Sequence, residues 1–232
     1  MDSASTQSRF YSTAEPLPHV RPYSSRLAEK APLLEVFRMA CVEHLASGSR
    51  EPLVAAECGI YQGSAMIACM NIARDLRVPV RFYGFDTFEG LPELSDTDCA
   101  MAPPTARYLT EKRFADAPYD RVRSAIIEAG HGAGAILVRG LLGDTLPTLP
   151  PELFSFVNID CDLFEPHRES LEYFYPRMHS GGIVFFDDFY SVNYPQARKA
   201  VEDFMADKPE SLFHLRFGHD RQNHTKVYFI KN

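Results

Sequence analysis

Through most of the chain, short continuous apolar runs alternate with longer segments in which apolar residues return every three or four positions. Runs of this kind, bounded by Gly and Pro, read as buried parallel strands, and the 3.6-residue period reads as amphipathic helix. The pattern predicts a helix over 30–47, with Leu33, Leu34, Val36, Phe37, Ala40, Cys41 and Leu45 on one stripe and Gly48 as its stop. A first strand follows at Leu53–Glu57, then a turn from Gly59 to Gly63 and a helix capped by Ser64 that runs to about Leu76. Val80–Phe85 is a second strand ending at Asp86. Further strands are predicted at Ala135–Val138, Phe154–Ile159 and Gly182–Phe186, with helices over Tyr119–Ala129, Glu169–Met178 and Pro195–Ala206. Phe213–Phe217 and Lys226–Ile230 close the chain as two neighbouring antiparallel strands.

Strands that alternate with helices imply a mostly parallel α/β sheet with helices on both faces. Residues 1–29, rich in Ser, Pro and Arg without a clean period, are expected to form a flexible arm or a lid. Residues 30–232 are expected to form a single domain. The Pro- and Asp-rich stretch at 87–110 is a long loop, a length that compact domains usually reserve for function.

Composition narrows the functions open to such a fold. The 232 residues include 17 Phe and 11 Tyr and are 45% hydrophobic, as expected of a globular chain with a full core. A net charge of −7 argues against nucleic acid as a partner. No apolar run is long enough to span a membrane, and the N-terminus lacks a signal-peptide layout. The five scattered cysteines, Cys41, Cys58, Cys69, Cys99 and Cys161, form no CxxC pair and are expected to be reduced, mostly buried thiols of a cytoplasmic protein. The eight histidines form no zinc motif. A homo-oligomer is the default expectation.

Candidate chemistry lies where apolar runs end in acids. Val157–Ile159 leads into Asp160-Cys161-Asp162, and Ile183–Phe186 leads into Asp187-Asp188. Acids at the carboxyl ends of two parallel strands face the crevice where open α/β sheets bind ligands. Carboxylates gathered there repel one another unless a cation or protons lie among them, which points to a hard, Mg²⁺-like ion. Asp160 and Asp187 are 27 residues apart (187 − 160), enough for one strand–helix–strand crossover. The turn Glu57-Cys58-Gly59-Ile60-Tyr61-Gln62-Gly63-Ser64 occupies the cofactor position of doubly wound folds but is not GxGxxG. Glu57 suits a cationic group, and Asp86, at the end of the second strand, can take both hydroxyls of a ribose. A ribose joined to an α-ammonium group describes S-adenosylmethionine well and NAD poorly.

Three groups of residues resemble the macrocin-type sugar O-methyltransferases. They are Tyr83-Gly84-Phe85-Asp86-Thr87-Phe88-Glu89-Gly90-Leu91-Pro92-Glu93, Asp144-Thr145-Leu146-Pro147, and Ile159-Asp160-Cys161-Asp162-Leu163-Phe164-Glu165 with Tyr175-Pro176, Ser180-Gly181-Gly182 and Asp187-Asp188-Phe189. The likeness covers roughly residues 50–205. It implies a Rossmann-like class I methyltransferase fold, with a mostly parallel seven-stranded sheet and an antiparallel last strand. It also implies methyl transfer from S-adenosylmethionine to a hydroxyl of a small natural product, with a divalent metal. By resemblance the metal falls to Asp160, Asp187 and Asp188, and the proton acceptor to Asp162. Cofactor contacts fall to Glu57, Gly59, Ile60, Tyr61, Gly63, Ser64, Asp86, Thr87, Phe88, Gly140, Leu141, Leu142 and Asp160. Catechol-type methyltransferases resemble this layout but carry Asp-Asn as the later pair. A phenolic acceptor and a cofactor-binding protein without catalysis are the alternatives. His167 and Leu141 depart from the family pattern, and His167 is expected to face solvent in the first turn of a helix. Tyr108, Tyr119 and Tyr190 are candidates to line the acceptor pocket or to act as packing residues.

Overall fold

A computed structural model describes residues 23–102, 113–216 and 225–232. The chain divides into two compact units, Met1–Ala31 and Pro32–Asn232. Of the first, the helical backbone from Tyr23 is described; the rest of the expected arm, residues 1–22, lies outside the described residues.

In chain order the elements are α1 (Tyr23–Ala46), β1 (Leu53–Cys58), α2 (Ser64–Asp75), β2 (Val80–Asp86), α3 (Asp96–Met101), α4 (Tyr119–Glu128), β3 (Ala135–Arg139), α5 (Leu142–Thr145), β4 (Phe154–Ile159), α6 (Phe164–Phe174), β5 (Met178–Phe186), α7 (Pro195–Met205), β6 (Phe213–Arg216) and β7 (Thr225–Ile230). The strands form one sheet in the order β3-β2-β1-β4-β5-β7-β6. Pairs from β3 through β5 are parallel, and β7 runs antiparallel to both β5 and β6. The seven-stranded, mostly parallel sheet predicted from the sequence is therefore present.

Alternate residues of each strand supply two cores. Ala55, Phe82, Phe156, Ile183 and Phe185 pack under α1, α2 and α4 through Phe37, Met66, Met70, Val122 and Ile126. Ala56, Tyr83, Phe154, Val157 and Phe186 pack on the other face against Leu171, Phe174 and Val201 of α6 and α7. Burial on both faces explains why β1 and β4 are apolar at nearly every position.

Several boundaries differ from the sequence expectation. Helix α6 begins at Phe164, five residues before the predicted Glu169 (169 − 164). Pro166 lies in the first turn, where its missing N–H leaves no intrahelical bond unmade. Strand β5 starts at Met178, four residues before the predicted Gly182 (182 − 178), and takes in the last residue assigned to that helix. The expected loop at 87–110 contains α3, and its residues 103–110, including Tyr108, lie outside the described residues, as does Phe217. Ser64 is not a cap. Gly63 is the N-cap of α2, in the left-handed region at φ 75°, and no side chain caps the helix. The short helix α5 had no counterpart in the sequence reading.

Candidate functional site

The strand order reverses between β1 and β4, because β1 leads outward to β2 and β3 while β4 leads to β5. Loops leaving the carboxyl ends of β1 and β4 diverge there and open a crevice. Gly59 follows β1 at φ +89°, and a Cβ on it would lie 2.0 Å from the carbonyl oxygen of Asp160. Only glycine permits so close an approach of the two loops.

The floor of the crevice is held by Asp86, the last residue of β2. One carboxylate oxygen accepts the Tyr61 N–H at 2.8 Å and the other accepts the Phe88 N–H at 2.7 Å. Tyr61 (φ 48°) and Phe88 (φ 56°) are both in the left-handed region, so these bonds fix two strained turns. Burial raises the Asp86 pKa, and the Phe88 and Tyr61 amides oppose it. The Tyr61 hydroxyl donates to Asp116 at 2.8 Å, and its ring meets Phe114 edge-on. Thr87 closes the next turn by donating to the Gly90 carbonyl at 2.6 Å.

Glu57 lies in β1, as the predicted strand Leu53–Glu57 has it, and is 2% exposed. The Asn158 side-chain amide on adjacent β4 donates to it at 2.9 Å. Ile60 is buried beneath Gly84, where an added Cβ would lie 3.1 Å from the Ile60 side chain. Gly63 packs at the other end of the turn, and Ser64 begins α2. Gly140 (φ +139°) follows β3, and its N–H donates to the Asp86 carbonyl at 3.0 Å. That bond brings the α5 turn alongside the β2 end. Leu142 is buried there, whereas Leu141 is half exposed.

On the β4 and β5 side, carboxylate oxygens of Asp160, Asp187 and Asp188 lie within 4.8 Å of one another. Register explains the convergence. Ile159 pairs with Phe186, so the residues that follow emerge side by side, and the Asp187 N–H donates back to the Ile159 carbonyl at 3.1 Å. Three hard oxygen donors at this spacing fit a divalent cation such as Mg²⁺ or Mn²⁺.

Asp162 completes the acidic group. It sits at φ +62° in a three-residue turn closed by the Leu163 N–H and the Cys161 carbonyl at 2.6 Å, a rare and strained conformation for a non-glycine residue. Burial pushes its pKa well above the usual carboxylate range, and the Asp188, Asp160 and Asp187 carboxylates push it further. Arg113 opposes that shift.

The turn is anchored from behind by groups the sequence did not single out for it. His167, expected to face solvent, is fully buried. Its Nδ1 lies 2.8 Å from the Leu163 carbonyl, which can only accept, so Nδ1 carries the proton. Burial lowers its pKa to about 4, leaving the ring neutral. Asp98, in α3, accepts the Phe164 N–H at 2.8 Å and thereby caps α6. The same carboxylate accepts from the Ser95 N–H and hydroxyl at 3.1 and 2.6 Å, closing a capping box. The Ser95-x-x-Asp98 spacing was the legible signal for α3. Cys161 is buried as expected, and burial raises its thiol pKa, as it does for Cys41 and Cys58, both at about 12. Cys99 is exposed.

Lys226 of β7 also reaches the acidic group. Its Nζ donates to the Asp187 carbonyl at 2.7 Å and lies 2.9 Å from Asp187 Oδ2. Nearby, Tyr190 meets His214 of β6 through its hydroxyl at 3.1 Å, and Arg198 lies over the rings of Phe189 and Tyr190. Tyr119 packs edge-on against Phe88.

Comparison with known proteins places this geometry. Residues 39–211 match the profile of a family described as Macrocin-O-methyltransferase (TylF). A tetracenomycin rhamnosyl 4'-O-methyltransferase of Streptomyces olivaceus is 30% identical over 71% of this chain and 62% of its own length. The demethyldecarbamoylnovobiocin O-methyltransferase of Streptomyces niveus is 27% identical over 72% of this chain and 63% of its own. The chain thus spans a little under two thirds of these curated relatives. Among solved structures, the O-methyltransferase NovP superposes with a TM-score of 0.69 at 24% identity, covering 85% of this chain and 78% of NovP. The calicheamicin methyltransferase CalS11 gives 0.67 at 21%, covering 90% and 80%. These likenesses establish the Rossmann-like class I methyltransferase fold.

Proposed function

The chain belongs to the macrocin-O-methyltransferase family, and from that premise we propose that it transfers a methyl group from S-adenosylmethionine to a hydroxyl of a small polyhydroxylated natural product, by preference a sugar moiety. The observation that carries the reading is the convergence of Asp160, Asp187 and Asp188 at the mouth of the crevice that Gly59 and Asp86 shape. One group of residues suits a cationic, ribose-bearing donor, and the other suits a divalent ion beside it.

In this reading Asp160, Asp187 and Asp188 hold Mg²⁺ or a similar cation, which supplies Lewis acidity toward a coordinated hydroxyl. Gly59, Ile60, Tyr61, Gly63, Ser64, Thr87, Phe88, Gly140, Leu141 and Leu142 surround the donor. Asp86 faces its ribose and Glu57 its ammonium group. The sulfonium is already a good leaving group, so no acid is needed on that side. The difficulty lies with the acceptor, an alcohol that must lose its proton to attack. Asp162 takes that proton. Its burial, the largest cause of its raised pKa, also makes it a stronger base than an exposed carboxylate. Two neighbouring hydroxyls of a sugar would meet the acidic group together and fix the acceptor in line with the methyl group. The printed activities of the two curated relatives, a rhamnosyl 4'-O-methyltransferase and a novobiocin O-methyltransferase, favour such an acceptor over a free catechol.

The experiment is transfer of labelled methyl from S-adenosylmethionine to glycosylated acceptors and to catechols, with and without EDTA. Turnover on glycosides that EDTA abolishes and Mg²⁺ restores is expected. Full turnover in EDTA would sink the metal assignment, and turnover on catechols alone would sink the acceptor assignment.

A further inference from the structure

The acidic group contains a basic partner that the proposed reaction does not use. Strand β7 pairs antiparallel with β5, with Phe186 opposite Val227. Continuing that register sets Lys226 opposite Asp187. Only 18% of the side chain's surface is exposed, and its ammonium meets both the carbonyl and the carboxylate of Asp187. A lysine bonded twice to one residue at a largely buried site is a fixed charge, not a solvated surface group.

We propose that Lys226 is a positioning and charge-setting residue of the divalent-cation centre. It holds Asp187 in place before the ion arrives, and it holds down the affinity for that ion. The inference rests on the metal reading above. The charges show why it matters. The three ligand carboxylates give −3 and a divalent ion would leave −1, which Lys226 offsets, with Asp162 beside them as a fourth carboxyl group. Without an ion, Lys226 offsets one of three crowded negative charges, so the fold tolerates the empty centre. Because the same carboxylate would serve both, an ion bound there would lie close to the ammonium and be repelled by it. The bound state is thereby weakened, and the ion remains exchangeable until an acceptor adds its own oxygen ligands.

The test is titration of the full-length protein with Mn²⁺, followed by electron paramagnetic resonance, without cofactor or acceptor. Lys226→Met should bind Mn²⁺ about tenfold more tightly than the unsubstituted chain, the effect of removing one like charge at this range. In EDTA the same variant should melt at a lower temperature, because the carboxylate repulsion is no longer offset. Lys226→Arg keeps the charge and should restore the original affinity. Asp160→Ala in the Lys226→Met background should remove the bound signal, which locates it. Equal or weaker Mn²⁺ binding by Lys226→Met overturns the proposal while leaving the metal centre standing. Mn²⁺ binding by neither protein overturns the metal reading and the proposal with it.

Discussion

Asp98 and Phe164, 66 residues apart in sequence, are joined by a 2.8 Å bond from the Phe164 amide to the Asp98 carboxylate. Asp98 is 1% exposed and bonded to Ser95 as well, so one buried carboxylate ends two helices. Helix α6 has no cap from its own N-cap residue, Leu163. Its first turn therefore depends on the loop that carries α3, and Asp162 lies just ahead of that turn. A change in the α3 loop is transmitted to the proposed base by this bond.

Asp98→Ala removes the α6 cap and one half of the α3 capping box, leaving the Phe164 and Ser95 amides without that acceptor, while the Ser95 hydroxyl still accepts the N–H of residue 98. A loss of about 2–3 kcal/mol is expected, each cap being worth roughly 1 kcal/mol and a stranded amide somewhat more. Urea unfolding measures the loss. Hydrogen exchange should accelerate in the first turn of α6 and leave β1 and β4 unchanged. Uniform acceleration across the sheet would contradict a local role.

Gly59→Ala tests the crevice itself. The added methyl group would fall 2.0 Å from the Asp160 carbonyl oxygen, and backbone at φ +89° already disfavours any side chain. Both strain terms act on backbone, so no side chain can move aside. A cost above about 3 kcal/mol is expected, in the range of severe single substitutions. Where the protein still folds, cofactor affinity measured by calorimetry should fall with it. By contrast Gly48→Ala, where nothing lies within 4 Å, pays only the φ term.

The sheet was readable because its strands are buried on both faces and so stand out as unbroken apolar runs, as at Leu53–Cys58 and Phe154–Ile159. The strand-end acids were readable for the same reason, since charge after such a run has few structural uses. What the sequence concealed depends on contacts between distant segments. His167 was expected in the first turn of a helix facing solvent; it is in a first turn, but on the buried side, where its Nδ1 meets the Leu163 carbonyl. Lys226 carries no local signal, because its partner lies 39 residues away and is set by the β5–β7 register. Asn158 meets Glu57 only through the pairing of β1 with β4.

His167 makes stability depend on pH in a defined window. Its pKa falls from 6.5 to about 4 on burial, so the unfolded chain takes up a proton that the folded chain refuses. The contribution is complete above pH 6.5 and is lost as pH falls toward 4. Between pH 8 and pH 5 the loss should be about 2 kcal/mol, 1.36 kcal/mol for each unit of unequal titration. His167→Leu lacks this linkage. It is less stable overall, having lost the bond to Leu163, but its urea midpoint should fall less between those two pH values. Parallel slopes for the two proteins would show that His167 titrates alike in both states.

Asp162 separates stability from activity most sharply. It combines a positive φ with burial beside three like charges, so its conformation and its ionisation both cost free energy. Asn tolerates the left-handed region as well as Asp and carries no charge, and Gly adopts it without strain. Asp162→Asn and Asp162→Gly should therefore be as stable as the parent or more so, by about 1 kcal/mol for the glycine form. Methyl transfer should fall by about 10²–10⁴-fold in both, the usual worth of a positioned base, while cofactor affinity is retained. An acid placed where it destabilises the fold fits the proposed role of proton acceptor. If both variants lost stability, Asp162 would instead be a structural turn residue, and the base would have to be sought among Asp160, Asp187 and Asp188.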